Sequence, residues 1–410
     1  MLQNLREAYW EAARQADYWR GTLFRADKAF RDAVIQSLMR AGPGLTPVRG
    51  QANRHAAAAA NWLVTAQDAT PDHGVSYGYF PTLNQGGWEV SYPETTGYII
   101  TSLVNYGKLT AQDSLIDRAF DMGLWEADIQ MDSGAVQGGK LRPPEKRTPA
   151  TFNTGMVLDG WVSLLETKPD PVIEGAARRA ADFLVNDLTD EGLFRTNGAF
   201  VSADAVKIYN VLCAWAMYRF GNLVGDRRYT SAAVRAVDGA LTRQKANGWF
   251  AENCLTEPHR PLTHTIGYTT QGVMEVGALA GREDFIAAAK SCLQGALSAV
   301  RPNGFLPGRL DPQWHPAVRW SCLTGSAQLA ICGYRLEALT GETPLGDQAD
   351  QLVDFLKAVQ LTDTGNPGVD GALAGSYPIL GGYMTGGYPN WATKYLLDAL
   401  MLQSARPATS

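Results

Sequence analysis

No run of apolar residues in this chain approaches the roughly 20 needed to cross a bilayer, so no membrane-spanning helix is expected. A basic surplus is missing as well: 36 Lys and Arg stand against 41 Asp and Glu, a net charge of −5. Without a basic stripe to neutralise phosphates, nucleic acid is not an expected partner. Histidine is scarce, with five in 410 residues. His259 and His264 lie five apart but lack the Cys, His and Asp neighbours of a zinc site, so neither a metal nor another cofactor is expected. Cysteine is equally sparse. Cys213, Cys254, Cys292, Cys322 and Cys332 are odd in number and sit mostly in apolar helical text such as "NVLCAWAM" and "AQLAICGY". They read as buried free thiols, not disulfides. The opening "MLQNLREAYWEAARQADYW" lacks the basic head and apolar middle of a secretion signal. The expected compartment is therefore the cytoplasm.

What is present is a repeat. Hydrophobic residues make up 45% and charged residues 19%, the balance of a globular chain with a large core. Six times, helical text closes, often on Gln, and runs into a turn with glycine: "NWLVTAQDATPDHG", "WEADIQMDSG", "LVNDLTDEG", "LTRQKANG", "LSAVRPNG" and "LKAVQLTDTG". The glycines are Gly74, Gly134, Gly192, Gly248, Gly304 and Gly365, at steps of 60, 58, 56, 56 and 61 residues. A fixed period of this length signals one supersecondary unit repeated. After each turn comes a variable loop, then a helix that is apolar nearly all round, such as "NTGMVLDGWVSLLE" or "TGSAQLAICGYRLEALTG". Such helices belong inside. More amphipathic helices, such as "DSLIDRAFDMGLWEAD", belong outside. The expected fold is all-α, an (α/α)6 toroid of six helical hairpins. It spans residues 51–403, with an N-terminal helical extension over 1–50 and a tail over 404–410.

Loop length then separates the two rims. Connections from inner to outer helices are short, and those from outer to inner run to roughly 10–25 residues, well above the usual median. Long loops on one rim of a rigid scaffold are where chemistry is expected. There "WEVSYPETTGY" gathers Trp88, Glu89, Tyr92, Glu94 and Tyr98. Rings stack on sugar faces and polar groups read hydroxyls, so a carbohydrate partner is expected. Glu94 is the first candidate for chemistry. Pro93 fixes its approach and surrounding rings would raise its pKa towards that of a general acid, although a carboxylate at a helix start also serves as a cap. Asp204, in "VSADAVKIYN", sits at the equivalent point two repeats on and reads equally as an N-cap. Asp311, in "GRLDPQWHPAVRW", is a third carboxylate, although Asp-Pro favours a turn. Two carboxylates across the mouth would suit glycoside hydrolysis. His264 and Tyr268, four apart, would instead suit proton abstraction from a uronate, or His264 simply bonds a neighbouring loop. Arg319 and Lys394 would bind a sugar carboxylate, which implies an acidic glycan, or pair with local acids. Trp88, Tyr92, Tyr268, Trp320 and Tyr383 make the expected stacking platform.

The six-repeat layout, "YPETTGY" and the closing "YPNWATKYLLDALML" resemble the α/α-toroid proteins of polysaccharide metabolism and exopolysaccharide biosynthesis. The resemblance covers about residues 50–403. In architecture the group is similar to unsaturated glucuronyl hydrolases, N-acylglucosamine 2-epimerases and the helical domain of glucuronyl C5 epimerases. It implies a carbohydrate-active enzyme: a glycoside hydrolase first, then a lyase or epimerase on a uronate, then a non-catalytic glycan-binding protein. Terpenoid cyclases and protein prenyltransferases share the toroid, but their acidic Asp-x-Asp-Asp cluster and Asp/Cys/His zinc set are missing here.

Overall fold

A computed structural model of the protein describes residues 45–81, 87–198 and 205–406, with residues 16, 19–21, 31 and 34 before them. The expected N-terminal extension therefore falls largely outside the described residues. Among the described residues from 45 onward there are twelve α-helices, in chain order α1 (Ala52–Asp68), α2 (Pro93–Thr110), α3 (Asp113–Asp128), α4 (Thr151–Leu165), α5 (Pro171–Asp187), α6 (Leu212–Val224), α7 (Arg227–Leu241), α8 (Thr263–Ala280), α9 (Glu283–Leu297), α10 (Leu323–Thr340), α11 (Thr343–Val359) and α12 (Asn390–Ala405). The even-numbered helices form the inner ring. Each packs on the next, and α12 packs back on α2 to close it. The odd-numbered helices stand outside. The fold is an (α/α)6 toroid.

Burial explains the assignment. In α8 every residue from Thr263 to Gly277 is buried, whereas α7 buries only one face. Glycines let inner helices approach closely: a Cβ on Gly97 would lie 2.5 Å from the Val157 backbone. Inner-to-outer turns take two to five residues, and left-handed residues such as Gly225, Gly281 and Gly341 end the inner helices. The returns take 21–30 residues, five of them at the upper end of the expected range and the last, between α11 and α12, beyond it.

The recurring Gln and Gly have a shared physical role. Gln130 Nε2 bonds the carbonyls of Gly134 and of Ala176 on the next outer helix. Gln244 does the same with Gly248 and Ala288. Each amide thus satisfies one turn carbonyl and one helix carbonyl while joining neighbouring units. Gly134 and Gly248 have positive φ, and their missing Cβ leaves room for that outer helix: at Gly134 a Cβ would lie 2.3 Å from the Arg179 oxygen. In the sixth unit this role belongs to Gly371, not Gly365. Gln360 bonds Gly371 and His55, and a Cβ on Gly371 would lie 2.1 Å from the Ala58 oxygen. Gly365 has nothing within 4 Å of that position.

The sixth hairpin is made from distant parts of the chain, since α1 pairs with α12. Two short antiparallel ribbons reinforce the long-loop rim. β1 (Gly78–Tyr79) pairs with β4 (Tyr388–Pro389), and β2 (Ser321–Cys322) pairs with β3 (Ser376–Tyr377). Asn390 completes the seam, its Nδ2 donating to the Ser76 carbonyl and to Thr95 Oγ1 at 2.7 Å each. All five cysteines are buried and free. Among the described residues no helix is long and apolar enough to cross a membrane.

Candidate active site

The inner helices all start at the long-loop rim. In four of them the second residue reaches the same space. Glu94 on α2, Phe152 on α4, His264 on α8 and Trp391 on α12 all line a cavity of about 420 Å³. Tyr98 and Tyr268 line it one helical turn deeper on α2 and α8. Rings complete the wall: Tyr77 lies 5.1 Å from Tyr92 and 4.9 Å from Trp391, and Phe152 lies 4.6 Å from Tyr268. Trp391 Nε1 donates to the Tyr383 hydroxyl at 2.9 Å, which orients both over the opening. Amides supply the polar contacts. Asn153 donates to the Gln137 carbonyl and Asn210 to Asn197 Oδ1, which leaves the carbonyl oxygens of Asn153 and Asn210 as acceptors for hydroxyls.

Glu94 follows Pro93, which opens α2 with its φ already set for a helix. The Tyr92 hydroxyl donates to Glu94 Oε2 at 3.2 Å. Burial among rings pushes the carboxyl up to about 7, against the smaller opposing pull of the Tyr92 bond. The helix N-terminus also favours the anion, so desolvation is the effect that wins. At neutral pH Glu94 is poised between acid and carboxylate.

His264 presents the converse case. Its Nδ1 lies 2.5 Å from Gln328 Oε1 on α10, and burial lowers its pKa to about 4. The imidazole is therefore neutral at pH 7. Its ring centre is 4.4 Å from that of Tyr268, whose hydroxyl is held protonated by burial. The cavity thus pairs a carboxylic acid able to give a proton with an imidazole able to take one.

Of the residues expected at the site, Glu94, Tyr92, Tyr98, His264, Tyr268 and Tyr383 come together here. Five others stand outside the lining. Trp88 packs on Trp62 and Tyr79 at 5.4 and 5.2 Å. Trp320 lies over Gly308 and Gly382, where a Cβ would meet its ring. Asp311 Oδ1 accepts the backbone N–H groups of Gln313 and His315, so the Asp-Pro turn claims this carboxylate. Arg319 is exposed away from the cavity. Lys394 Nζ bonds Asp398 Oδ2 at 2.8 Å, beneath the rings of Tyr98 and Tyr395. Asp204 lies outside the described residues. Gln328, Phe152 and Asn210 were not anticipated. A lone amide inside the otherwise apolar "AQLAICGY" was the available signal for Gln328, because a buried amide needs a partner. Among the described residues no group of three or more His, Cys, Asp or Glu gathers as a metal site.

No protein-family model matches the chain, and no curated protein matches its sequence. Its structure does resemble solved ones. The unsaturated glucuronyl hydrolase from Bacillus sp. GL1 aligns over 86% of this chain and 96% of its own, at 15% identity and a TM-score of 0.67. A D-mannose isomerase aligns over 86% and 97%, at 11% identity and a TM-score of 0.67. The cellobiose 2-epimerase from Bacillus thermoamylovorans B4167 aligns over 83% and 95%, at 8% identity and a TM-score of 0.64. At this level of identity, what this chain shares with them is the toroid fold.

Proposed function

We propose that this protein is a carbohydrate-active enzyme, a glycoside hydrolase that uses Glu94 as its general acid, with residues 51–403 as the catalytic unit. The observation that carries this reading is the Glu94 carboxyl, raised to about 7 inside an aromatic cavity and hydrogen-bonded by Tyr92. A protonated carboxyl at neutral pH can deliver its proton to a departing glycosidic oxygen. Tyr77, Tyr92, Tyr268 and Trp391 offer sugar faces a stacking surface. Asp204 remains the carboxylate proposed as base or nucleophile, and His264 is the base that the described lining offers. Likeness in fold to a glucuronyl hydrolase supports this reading. An acidic substrate has less support, because the two cations expected to hold its carboxylate, Arg319 and Lys394, lie off the lining.

One observation favours a second reading, epimerisation or isomerisation of a sugar. Glu94 is the one carboxylate among the described lining residues, and it shares the cavity with a neutral imidazole. Such a pair can remove a proton from carbon and return one. Mass spectrometry of products from neutral and acidic oligosaccharides separates the two. A gain of one water per cleavage supports hydrolysis. An unchanged mass with deuterium taken up from D2O supports epimerisation. Loss of either activity in Glu94→Gln ties it to this cavity, and activity that survives that change overturns the assignment.

A further inference from the structure

We propose that Gln328 is a positioning residue: from α10, the ring neighbour of α8, it holds His264 with its proton on Nδ1 and so keeps Nε2 as a proton acceptor for the cavity. The proposal rests on reading His264 as part of the catalytic machinery.

Three observations carry it. First, the bond itself runs from Nδ1 to Gln328 Oε1 at 2.5 Å. With the amide oxygen facing the ring, as it is placed, Nδ1 carries the proton and Nε2 the lone pair. Second, Gln328 is fully buried, yet its Nε2 has no hydrogen-bond partner among the described residues. A buried amide N–H without a protein partner costs stability that an apolar side chain of the same size would avoid. Core packing therefore gives no reason for glutamine at this position, whereas the bond to His264 does. Third, the helices are shaped to bring the two groups together. A Cβ on Gly267 would lie 2.7 Å from Gln328 Cβ, and one on Gly325 would lie 2.6 Å from the His264 backbone nitrogen. These glycines draw α8 and α10 close enough for an amide to span the gap.

The other neighbours cannot do this work. His264 is faced by Tyr268 on its own helix, by Tyr383 and by Tyr395 on α12, with ring centres at 4.4, 5.6 and 6.3 Å. None of these rings carries a charge at neutral pH. In turnover, a proton leaving the substrate or an attacking water goes to Nε2. The resulting imidazolium keeps its Nδ1–H on the Gln328 oxygen, and Glu94 gives up the proton that the other end of the reaction needs. Gln328 itself gains and loses none.

The test is long-range 1H–15N correlation on the uniformly 15N-labelled full-length protein near pH 7, where only five histidines appear. The expected result is the pattern of an Nδ1–H tautomer for His264, assigned by its loss in His264→Asn. An Nε2–H pattern overturns the proposal without any variant of Gln328 having to fold. Gln328→Leu is expected to release the tautomer and lower kcat about 10- to 100-fold with little change in KM, as for other outer-shell partners of histidine. Gln328→Glu is expected to keep Nδ1–H and to move the lower limb of the pH profile upward. A Gln328→Leu enzyme with native tautomer and native kcat overturns the proposal. Full turnover in His264→Asn despite a locked tautomer overturns instead the reading of His264 as the base.

Discussion

Glu94 and His264 hold the same place on opposite sides of the ring. Each is the second residue of its inner helix, and each is followed four residues later by a tyrosine, Tyr98 or Tyr268. The ring order α2, α4, α6, α8, α10, α12 sets α8 three helices from α2 in either direction. A repeated unit thus presents an acid from one wall and a base from the other. Burial shifts both, the carboxyl upward and the imidazole downward, so both are uncharged over much of the interval between about 4 and 7.

Turnover should follow those two values. It needs Glu94 protonated and His264 neutral, so kcat/KM is expected to rise with pH through about 4 and to fall above about 7. Glu94→Gln should lower kcat by about 10²- to 10⁴-fold and leave substrate binding within about threefold. A rate profile that stays flat to pH 9 would argue against Glu94 as the acid.

Stability carries the same signature with opposing signs. Between pH 4.5 and about 7 the folded chain keeps a Glu94 proton that the unfolded chain has lost, so this group weakens the fold as pH rises. Between about 4 and 6.5 the unfolded chain holds a His264 proton that the folded chain refuses, so that group strengthens the fold as pH rises. Relative to the native chain, Glu94→Gln should therefore make melting temperature climb more steeply between pH 4.5 and 6.5, and His264→Asn should turn it downward. Thermal melts at half-unit steps of pH measure both, and parallel curves for all three proteins would contradict the assignment.

Two glycines near the end of the repeats should respond differently to alanine. Gly371→Ala puts a Cβ against the Ala58 oxygen of α1 at positive φ, and is expected to cost at least about 2 kcal/mol. Gly365→Ala meets only the strain of its positive φ and should cost about 1 kcal/mol. Urea unfolding of both variants checks the order, and equal losses would remove Gly371 from the repeat register.

Asp311 and Lys394 should behave as structural residues. Asp311→Ala breaks the bonds to the Gln313 and His315 N–H groups at a cost of about 1 kcal/mol, with turnover within about twofold of native. Lys394→Met leaves Asp398 without its partner and should lower the melting temperature by several degrees, which scanning calorimetry reads directly. A thousandfold loss of kcat in a folded Asp311→Ala protein would return that carboxylate to the site.

The sequence by itself determined the toroid and the rim at which the cavity opens. Both follow from local rules: helices buried all round must go inside, and a 56- to 61-residue period of Gln-turn-Gly phrases must stack like units. It also marked Glu94, His264 and Tyr268, because chemistry-bearing residues stand out at the start of an apolar helix. Tertiary structure decided which rim residues face the cavity. Trp88, Trp320 and Arg319 sit in long returns whose path is set by contacts with other loops, and no local period reports that path. Lys394 lies on an inner helix, but one turn below the mouth, where Asp398 on the same helix takes up its charge. Gln328 lies 64 residues from the histidine it bonds. Only the approach of α8 and α10 at their glycines brings that amide and that imidazole within reach.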